Sequence, residues 1–371
     1  MDSAAKNKDM EFTQQALALA ARGIGLVSPN PLVGCVIVAD GDVVGEGSYT
    51  YDGVTHAEVL ALEAAGEKAR GATAYVSLEP HSHHGKTAPC TEALINAGIA
   101  RVVCPVEDPN PLVSGKGFDE LRDAGVEVVT GILEKEASAL NEKFFCWHKK
   151  GRPFVHLKLA ASLDGRISLS SSVSTYLSSD EARERVQALR HEYDAILVGG
   201  TTAAVDDPSL TDRSGRPRRR PLVRVVLDGH LATPFESKLV QTARETPTII
   251  FTSENGDAIE KFVSAGVEVI SSEHGGHDLD FVLSELRKRE TQSVLVEGGS
   301  AVAGSFRDAG LIDKLSIIFA PLVIGGDEAP NAFAGVGAAA ISDALRLSSV
   351  SVSLLGRDIE VTGYPETSPT R

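Results

Sequence analysis

The chain has 371 residues, 42% of them hydrophobic, 23% charged and 5% aromatic. That length exceeds what one hydrophobic core usually organises, so two domains are expected, with the composition of an ordinary globular protein. A net charge of −15 repels polyanions, which argues against a nucleic-acid partner, and no run approaches the ~20 apolar residues of a bilayer span.

The opening "MDSAAKNKDM" lacks the apolar run of a secretory signal. Cysteines 35, 90, 104 and 146 are scattered without framework spacing, which fits a reducing cytoplasm. Residues 10–22, "MEFTQQALALAAR", carry helical periodicity. "NPLVGCVIVADGDVVGEGS" follows as two β-rich runs joined at Asp40-Gly41-Asp42, which reads as a hairpin. A helix is expected over 56–67 and a strand over 72–80; at 89–98 Pro-Cys opens a helix that Gly closes. Strand 101–106, a helix near 115–124, strand 126–130 and one long helix over 134–149 complete a layered α/β pattern.

At "KKGRPF" the chain starts again, which sets domains at 1–149 and 150–371. Strand "FVHLKLAASLDG", helix 179–193, and strands 195–200 and 222–228 follow. Alternation continues through "PTIIFTS", "AIEKFVSAG", "VEVISS", "FVLSELRKRE" and "SVLVEGG" to a helix at 301–309 and a β-rich, antiparallel tail. The basic run "RSGRPRRRP" at 213–221 is either a phosphate-binding loop or a solvated linker.

His56-Ala57-Glu58 at a helix start puts a metal ligand beside a general acid/base. A zinc deaminase needs that pair, because its glutamate moves a proton from activated water to the leaving amine. Alone, H-x-E is common and marks an ordinary helix start. Followed by a strand, Glu79-Pro80 and Pro89-Cys90, it becomes specific, since further ligands come from a second helix opened by Pro-Cys. Cys104 and Cys146 have no other ligand type beside them and read as small buried apolar residues. In the second half, Val296-Glu297-Gly298-Gly299-Ser300 joins a strand to a helix, where backbone N–H groups can approach a phosphate. A tight turn explains Gly-Gly equally well, and the G-x-G-x-x-G fingerprint is absent.

"PNPLVGCVIV", "HAEVLAL", "YVSLEPHSHHGKTAPCTEAL", "DPNPLVSGKG" and "GRPFVHLKLAASLDG" resemble the bifunctional riboflavin-biosynthesis deaminase/reductases, and the likeness continues through "AILVGGTTAAVDDPSLTDR", "VVLD" and "VEGG". The resemblance implies a cytidine-deaminase-like α/β/α layer domain followed by a dihydrofolate-reductase-like α/β domain. It implies one zinc ion and NADPH. The substrate class is a pyrimidine ribosyl phosphate, first deaminated and then reduced from ribosyl to ribityl.

Residue by residue, the likeness implies Glu58 as the catalytic proton carrier. It departs at one ligand: the family has Glu-Pro-Cys where this chain has Glu-Pro-His81, so the expected zinc set is His56, His81 and Cys90. Imidazole is a good zinc ligand and lacks the thiolate's charge, which leaves the metal the stronger Lewis acid. His83 and His84 are alternative ligands, though the resemblance places them in a substrate-facing loop. Asn30 and Asn110 are expected to read the pyrimidine and Lys86 to meet the phosphate, although turn chemistry accounts for the asparagines as well.

For the cofactor, the resemblance implies Ala160, Tyr176 (a tryptophan in most of the family), Thr202 and Asp206, together with Gly299, Ser300, Ala301, Val302, Ala303, Gly304 and Ser305. Gly229 takes the place of a frequent serine. Ser174, Arg190, Leu210, Arg213 and Glu297 are implied for the substrate, with arginine suited to clamping phosphate. A solvated helix face for Arg190 and a plain loop for Asp206 are the bland readings.

Three alternatives frame these expectations. A deaminase half inactivated by His81 would leave a reductase alone. A nucleic-acid editor predicts a basic, aromatic groove and P-C-x-x-C, whereas eight residues separate His81 from Cys90 here. A structural scaffold leaves His56, Glu58 and Cys90 without a purpose. Oligomeric state is not written in the sequence, though the apolar tail strands could pair across a two-fold axis into a homo-oligomer through the reductase half.

Overall fold

The computed structural model describes residues 3–51, 55–83, 88–173 and 175–366. The chain divides into two compact units, 1–151 and 152–371.

In the first unit, β1 (Gly34–Ala39) pairs antiparallel with β2 (Asp42–Ser48) through Asp40 and Gly41, both at positive φ as a two-residue hairpin demands. Strands β3 (Thr73–Val76), β4 (Arg101–Cys104) and β5 (Glu127–Thr130) continue the sheet in the order β2-β1-β3-β4-β5, with β3 to β5 parallel. Side-chain alternation then builds two cores. Val36 and Val38 pack with Phe12, Ala16 and Leu19 of α1 (Ser3–Ala21). Cys35 and Ile37 pack with Ala57, Ala61 and Ala65 of α2 (Ala57–Ala65) on the opposite face. Leu94 of α3 (Cys90–Asn96) and Phe118 and Leu121 of α4 (Lys116–Asp123) join that second core.

The helix expected over 134–149 is broken. It forms α5 (Glu134–Leu140) and α6 (Glu142–Lys149), separated by Asn141. Asn141 is buried; its Oδ1 accepts the Leu32 N–H at 2.8 Å and its Nδ2 donates to the Leu32 carbonyl at 2.9 Å. A polar side chain forced to serve a distant backbone overrides local helix propensity.

The second unit contains one sheet of nine strands, β10-β9-β8-β7-β11-β6-β12-β14-β13. These are β6 (Phe154–Ser162), β7 (Ala195–Gly199), β8 (Val223–Leu227), β9 (Thr248–Thr252), β10 (Glu268–Ser271), β11 (Ser293–Val296), β12 (Lys314–Ala320), β13 (Leu347–Leu355) and β14 (Asp358–Pro365). All are parallel from β10 to β12, and the last two form an antiparallel edge. Leu197 and Val225 face α11 (Leu279–Lys288) and α12 (Ser300–Asp308), while Ile196, Val198 and Val226 face α9 (Lys238–Gln241) and α10 (Asp257–Ala265). Helix α7 (Asp180–Glu192) covers Ile318 of β12 through Ala182 and Val186. The turn of α8 (Gly200–Asp206), which has no counterpart in the expected elements, starts directly at the end of β7.

Both units are therefore α/β layers with parallel strands, the architecture that places ligands beyond the carboxyl ends of the strands. Among the described residues, no helix is long and apolar enough to cross a membrane.

Candidate active sites

In the first unit, two helix N-termini and the segment after β3 converge. His56 is the residue capping α2, Cys90 opens α3, and His81 lies between β3 and α3. Their ligand atoms all lie within 4.8 Å of one another, and the Cys90 Sγ is 3.3 Å from the His56 Nδ1. The placement of α2 is tight, because a Cβ on Gly47 would meet the Ala57 carbonyl at 1.9 Å and one on Gly45 the Ala61 carbonyl at 2.1 Å. Only glycine lets β2 and α2 come this close, and that approach fixes His56 and Glu58.

The electrostatics suit a cation. Burial, helped by His56 and His83, lowers His81 to about 4, so the imidazole is neutral with a lone pair to offer. Burial pushes the Cys90 thiol far up, and the adjacent Glu58 adds to the rise. A buried thiol next to a carboxylate is poor company without a cation; a bound divalent ion reverses this by taking the thiolate. Burial also raises Glu58, against the pull of His56. Its Oε2 is buried with no hydrogen-bond partner, which leaves one carboxylate oxygen free beside the presumptive ligands. One imidazole–imidazole–thiolate set with a free carboxylate fits a tetrahedral zinc ion with an open position. The other two thiols read as apolar, Cys104 and Cys146, are buried and form no disulfide.

Tyr49, unnoticed in the sequence, lies with its ring centroid 5.6 Å from that of His56 and accepts the Asn30 Nδ2 at 2.7 Å through its hydroxyl. Asn30 is thus linked to His56 through the Tyr49 ring. Asn110 is set by its own loop: its N–H donates to Asp108 Oδ1 at 2.7 Å, and its Oδ1 accepts the Leu112 N–H at 3.1 Å. Lys86 and His84 of the first unit and Ser174 of the second lie outside the described residues.

In the second unit, two cavities share Ile167, Thr175, Thr202, Asp206 and Gly299 in their walls. The first, 340 Å³, is lined by Ala160, Tyr176, Arg190, Leu210, Arg213 and Glu297 among others. The second, 300 Å³, is lined by Ser300, Ala301 and Val302 at the start of α12, whose first N–H groups are the unsatisfied donors of a helix end. Ala160 and Tyr176, expected along the cofactor, line the cavity that also holds the arginines. Ala303 and Gly304 are buried and Ser305 is exposed; these three line neither cavity, and a Cβ on Gly304 would meet the Ala334 carbonyl at 2.1 Å. Helix geometry explains the difference, since only the first turn of α12 faces the opening.

Glu297 is the centre of charge in the first cavity. Arg190 binds it through two bonds, Nε to Oε1 at 2.9 Å and Nη2 to Oε2 at 3.1 Å, and Lys158 Nζ stands 3.8 Å from Oε2. Burial alone would raise Glu297, but Arg190 and Lys158 outweigh it and the carboxyl is lowered; burial lowers Lys158 against the pull of Glu297. Arg190 is therefore no solvated helix residue. Lys158 escaped the sequence reading, although a lysine inside the apolar strand "FVHLKLAAS" is a signal of its own.

The basic run at 213–221 is neither a free loop nor a plain linker. Arg218 donates to the Arg190, His191 and Tyr193 carbonyls at the end of α7, and Arg220 to the Arg289 and Glu290 carbonyls after α11. Both cap helix C-termini. Arg213 lines the cavity.

Comparisons with known proteins follow this geometry. Residues 6–106 match the cytidine and deoxycytidylate deaminase zinc-binding region, and residues 153–361 match the RibD C-terminal domain. The chain is 42% identical over 364 residues to the riboflavin biosynthesis protein RibD of Actinobacillus pleuropneumoniae, covering 97% of this chain and 96% of that one. Against RibD of Escherichia coli K12 the identity is 42% over 332 residues, covering 86% and 89%. Acinetobacter baumannii RibD superposes with a TM-score of 0.85 at 35% identity, covering 98% of this chain and all of that one. A diaminohydroxyphosphoribosylaminopyrimidine deaminase/5-amino-6-(5-phosphoribosylamino)uracil reductase from Thermotoga maritima gives 0.85 at 34%, covering 97% and 99%.

One titration is open to test. Burial, reinforced by Glu79 and Glu107 and opposed by the Asn110 N–H, pushes the Asp108 carboxyl up to about 7. An unfolded aspartate titrates near ~3.9. Between those values the folded state holds a proton that the unfolded chain has released, so this residue's contribution falls as pH rises from about 4 to about 7, then levels off. Asp108→Asn keeps an acceptor for Asn110 and removes the penalty. Urea midpoints should show the variant gaining on the parent at about pH 8 and not at about pH 4.

Proposed function

This chain belongs to the RibD family of riboflavin-biosynthesis proteins, bifunctional deaminase/reductases, and from that footing we propose how its residues divide the work. Residues 1–149 deaminate 2,5-diamino-6-(5-phosphoribosylamino)pyrimidin-4-one, and residues 150–371 reduce the product's ribosyl group to ribityl with NADPH. The small-molecule substrate, the net negative charge and four buried cysteines outside any disulfide fit the cytoplasm.

His56, His81 and Cys90 hold zinc, which when bound supplies the Lewis acidity that activates water. Glu58 takes the proton from that water on its unpaired Oε2 and delivers it to the departing amine. Asn30, placed through Tyr49, and Asn110 orient the pyrimidine, and Lys86 meets the phosphate. One observation carries this half: three ligand atoms within 4.8 Å beside a free buried carboxylate oxygen. The same observation disfavours a deaminase half disabled by His81, because the imidazole occupies the third corner.

NADPH, when bound, supplies the hydride. The first turn of α12 with Gly299, Ser300, Ala301 and Val302, together with Thr202 and Asp206, holds it where the two cavities join. Ala160 and Tyr176 border the meeting point, and Leu210, Arg213 and Ser174 hold the sugar phosphate. Reduction adds a hydride to C1′ and needs a proton for the ring oxygen that leaves it. The Lys158–Glu297–Arg190 cluster stands in that cavity as the set of groups able to carry that proton, an amine beside a carboxylate.

The reductase half also carries a self-association surface. Val352 and Leu354 of β13 are 65% and 76% exposed, and they sit in register beside Val361 and Ile359 of β14, which neighbour Ile317 and Phe319 of β12. This strand edge carries no protective charge, so a second copy of the chain covers it.

Metal analysis of the purified protein should find about one zinc per chain, and His81→Ala should lose both zinc and ammonia release while oxidising NADPH normally on pre-deaminated substrate. Zinc kept at full occupancy in that variant rejects the ligand assignment. Glu297→Gln, which leaves two cations without their carboxylate, should cut NADPH-dependent turnover about a hundredfold and leave ammonia release unchanged. Light scattering should find the parent oligomeric and a Val352→Asp, Leu354→Asp variant smaller; a monomeric parent removes the self-association surface.

A further inference from the structure

Glu79 is a buried carboxylate with no role in the chemistry above. It stands two residues before His81, and its acceptors are filled by backbone alone. Oε2 takes the N–H groups of Asp108 and Gly115, each at 3.0 Å, and Oε1 takes Gly117 at 2.9 Å with Phe118 further off at 3.4 Å. Gly117 and Phe118 belong to the first turn of α4, whose N–H groups have no partner inside the helix and favour a negative charge. One side chain therefore spans both ends of the loop 108–117.

The contact has a steric half as well. A Cβ on Gly117 would sit 2.0 Å from the Pro80 carbonyl, so α4 begins directly against the segment that carries His81. The loop in between carries Asn110, whose N–H is fixed by Asp108, the residue whose own N–H Glu79 holds. A second tie runs separately: Thr91, next to Cys90, donates its N–H to the His81 carbonyl at 3.3 Å and its hydroxyl to Glu120 of α4 at 2.9 Å. The metal-holding segment thus has support that does not pass through Glu79.

We propose that Glu79 is a positioning residue of the deaminase, setting the distance between the His81 segment and the Asn110 loop so that the pyrimidine meets the activated water. The inference rests on the assignment of Asn110 to substrate. Glu79 acts on where the ring lies, through backbone donors, and not on the ligands, because the Thr91 N–H holds the His81 carbonyl without it.

Glu79→Gln in the full chain turns an NH₂ toward one of the two donor pairs and breaks it. Hydrogen bonds to a charged acceptor are worth roughly 1.5–3 kcal/mol, so KM for ammonia release should rise about tenfold or more. The expected result is that rise with kcat less affected, zinc still about one per chain, and NADPH oxidation on pre-deaminated substrate unchanged. Gly117→Ala keeps the carboxylate's charge but sets a Cβ 2.0 Å from the Pro80 carbonyl and 3.2 Å from Glu79 Oε1, which forces α4 and its donors away, so it should raise KM in the same way. A KM within about twofold of the parent in both variants overturns the inference, as does zinc lost in step with activity, which would make Glu79 a prop for the ligands. Asn110→Ala separates the two claims. If it raises KM while the other variants are silent, only the positioning role fails; if it leaves KM unchanged, the assignment of Asn110 fails and takes the inference with it.

Discussion

The first unit depends on a close approach of α2 to β2. Two side-chain-free positions, Gly45 and Gly47, let a helix of alanines lie against the strand, and the helix in turn holds His56 and Glu58 at its mouth. A larger residue at either position would lift α2 and move both groups. Metal ligation tolerates only a few tenths of an ångström, so this contact limits the chemistry more than any single ligand does. The rest of the site is assembled around that fixed helix by the segment after β3 and the start of α3.

The second unit solves a different problem, that of keeping three charges beneath a small cavity. Desolvation acts against each of Lys158, Glu297 and Arg190, and breaking such a buried pair typically costs about 3–5 kcal/mol. The bidentate geometry of Arg190 offsets that cost for the carboxylate and leaves Lys158 the weaker partner, 3.8 Å away and with its pKa lowered. Lys158 is the member of this cluster proposed above to carry a proton. The helix-capping arginines Arg218 and Arg220 belong to the scaffold around this cluster, closing the ends of α7 and α11.

Much of this was legible in residue order. The Asp40-Gly41 hairpin, the alternation of strands and helices and the antiparallel end of the second sheet follow from periodicity and turn chemistry. The long helix over 134–149 did not survive, because the Asn141 bonds to Leu32 join residues 109 positions apart, which no local window contains. Lys158 and Tyr49 were missed for the same reason, and Glu79 was noticed as part of Glu-Pro while its bonds were not. Each matters through partners supplied by other strands and loops, and Lys158 left its own local mark as a charge inside an apolar strand.

By itself the sequence determined the types of group available: an H-x-E pair, a Pro-Cys turn, an imidazole in place of a thiolate, and glycines where backbones must meet. Those follow from chemistry carried by single residues and their near neighbours. The tertiary structure alone decided which of them converge. It brought His81 within ligand distance of His56 and Cys90, set Ala303, Gly304 and Ser305 outside the linings of the two cavities described above, and bound Arg190 to Glu297 across 107 residues. Distances of a few ångströms between remote segments depend on how helices pack on sheets, and that is a property of the whole packed core.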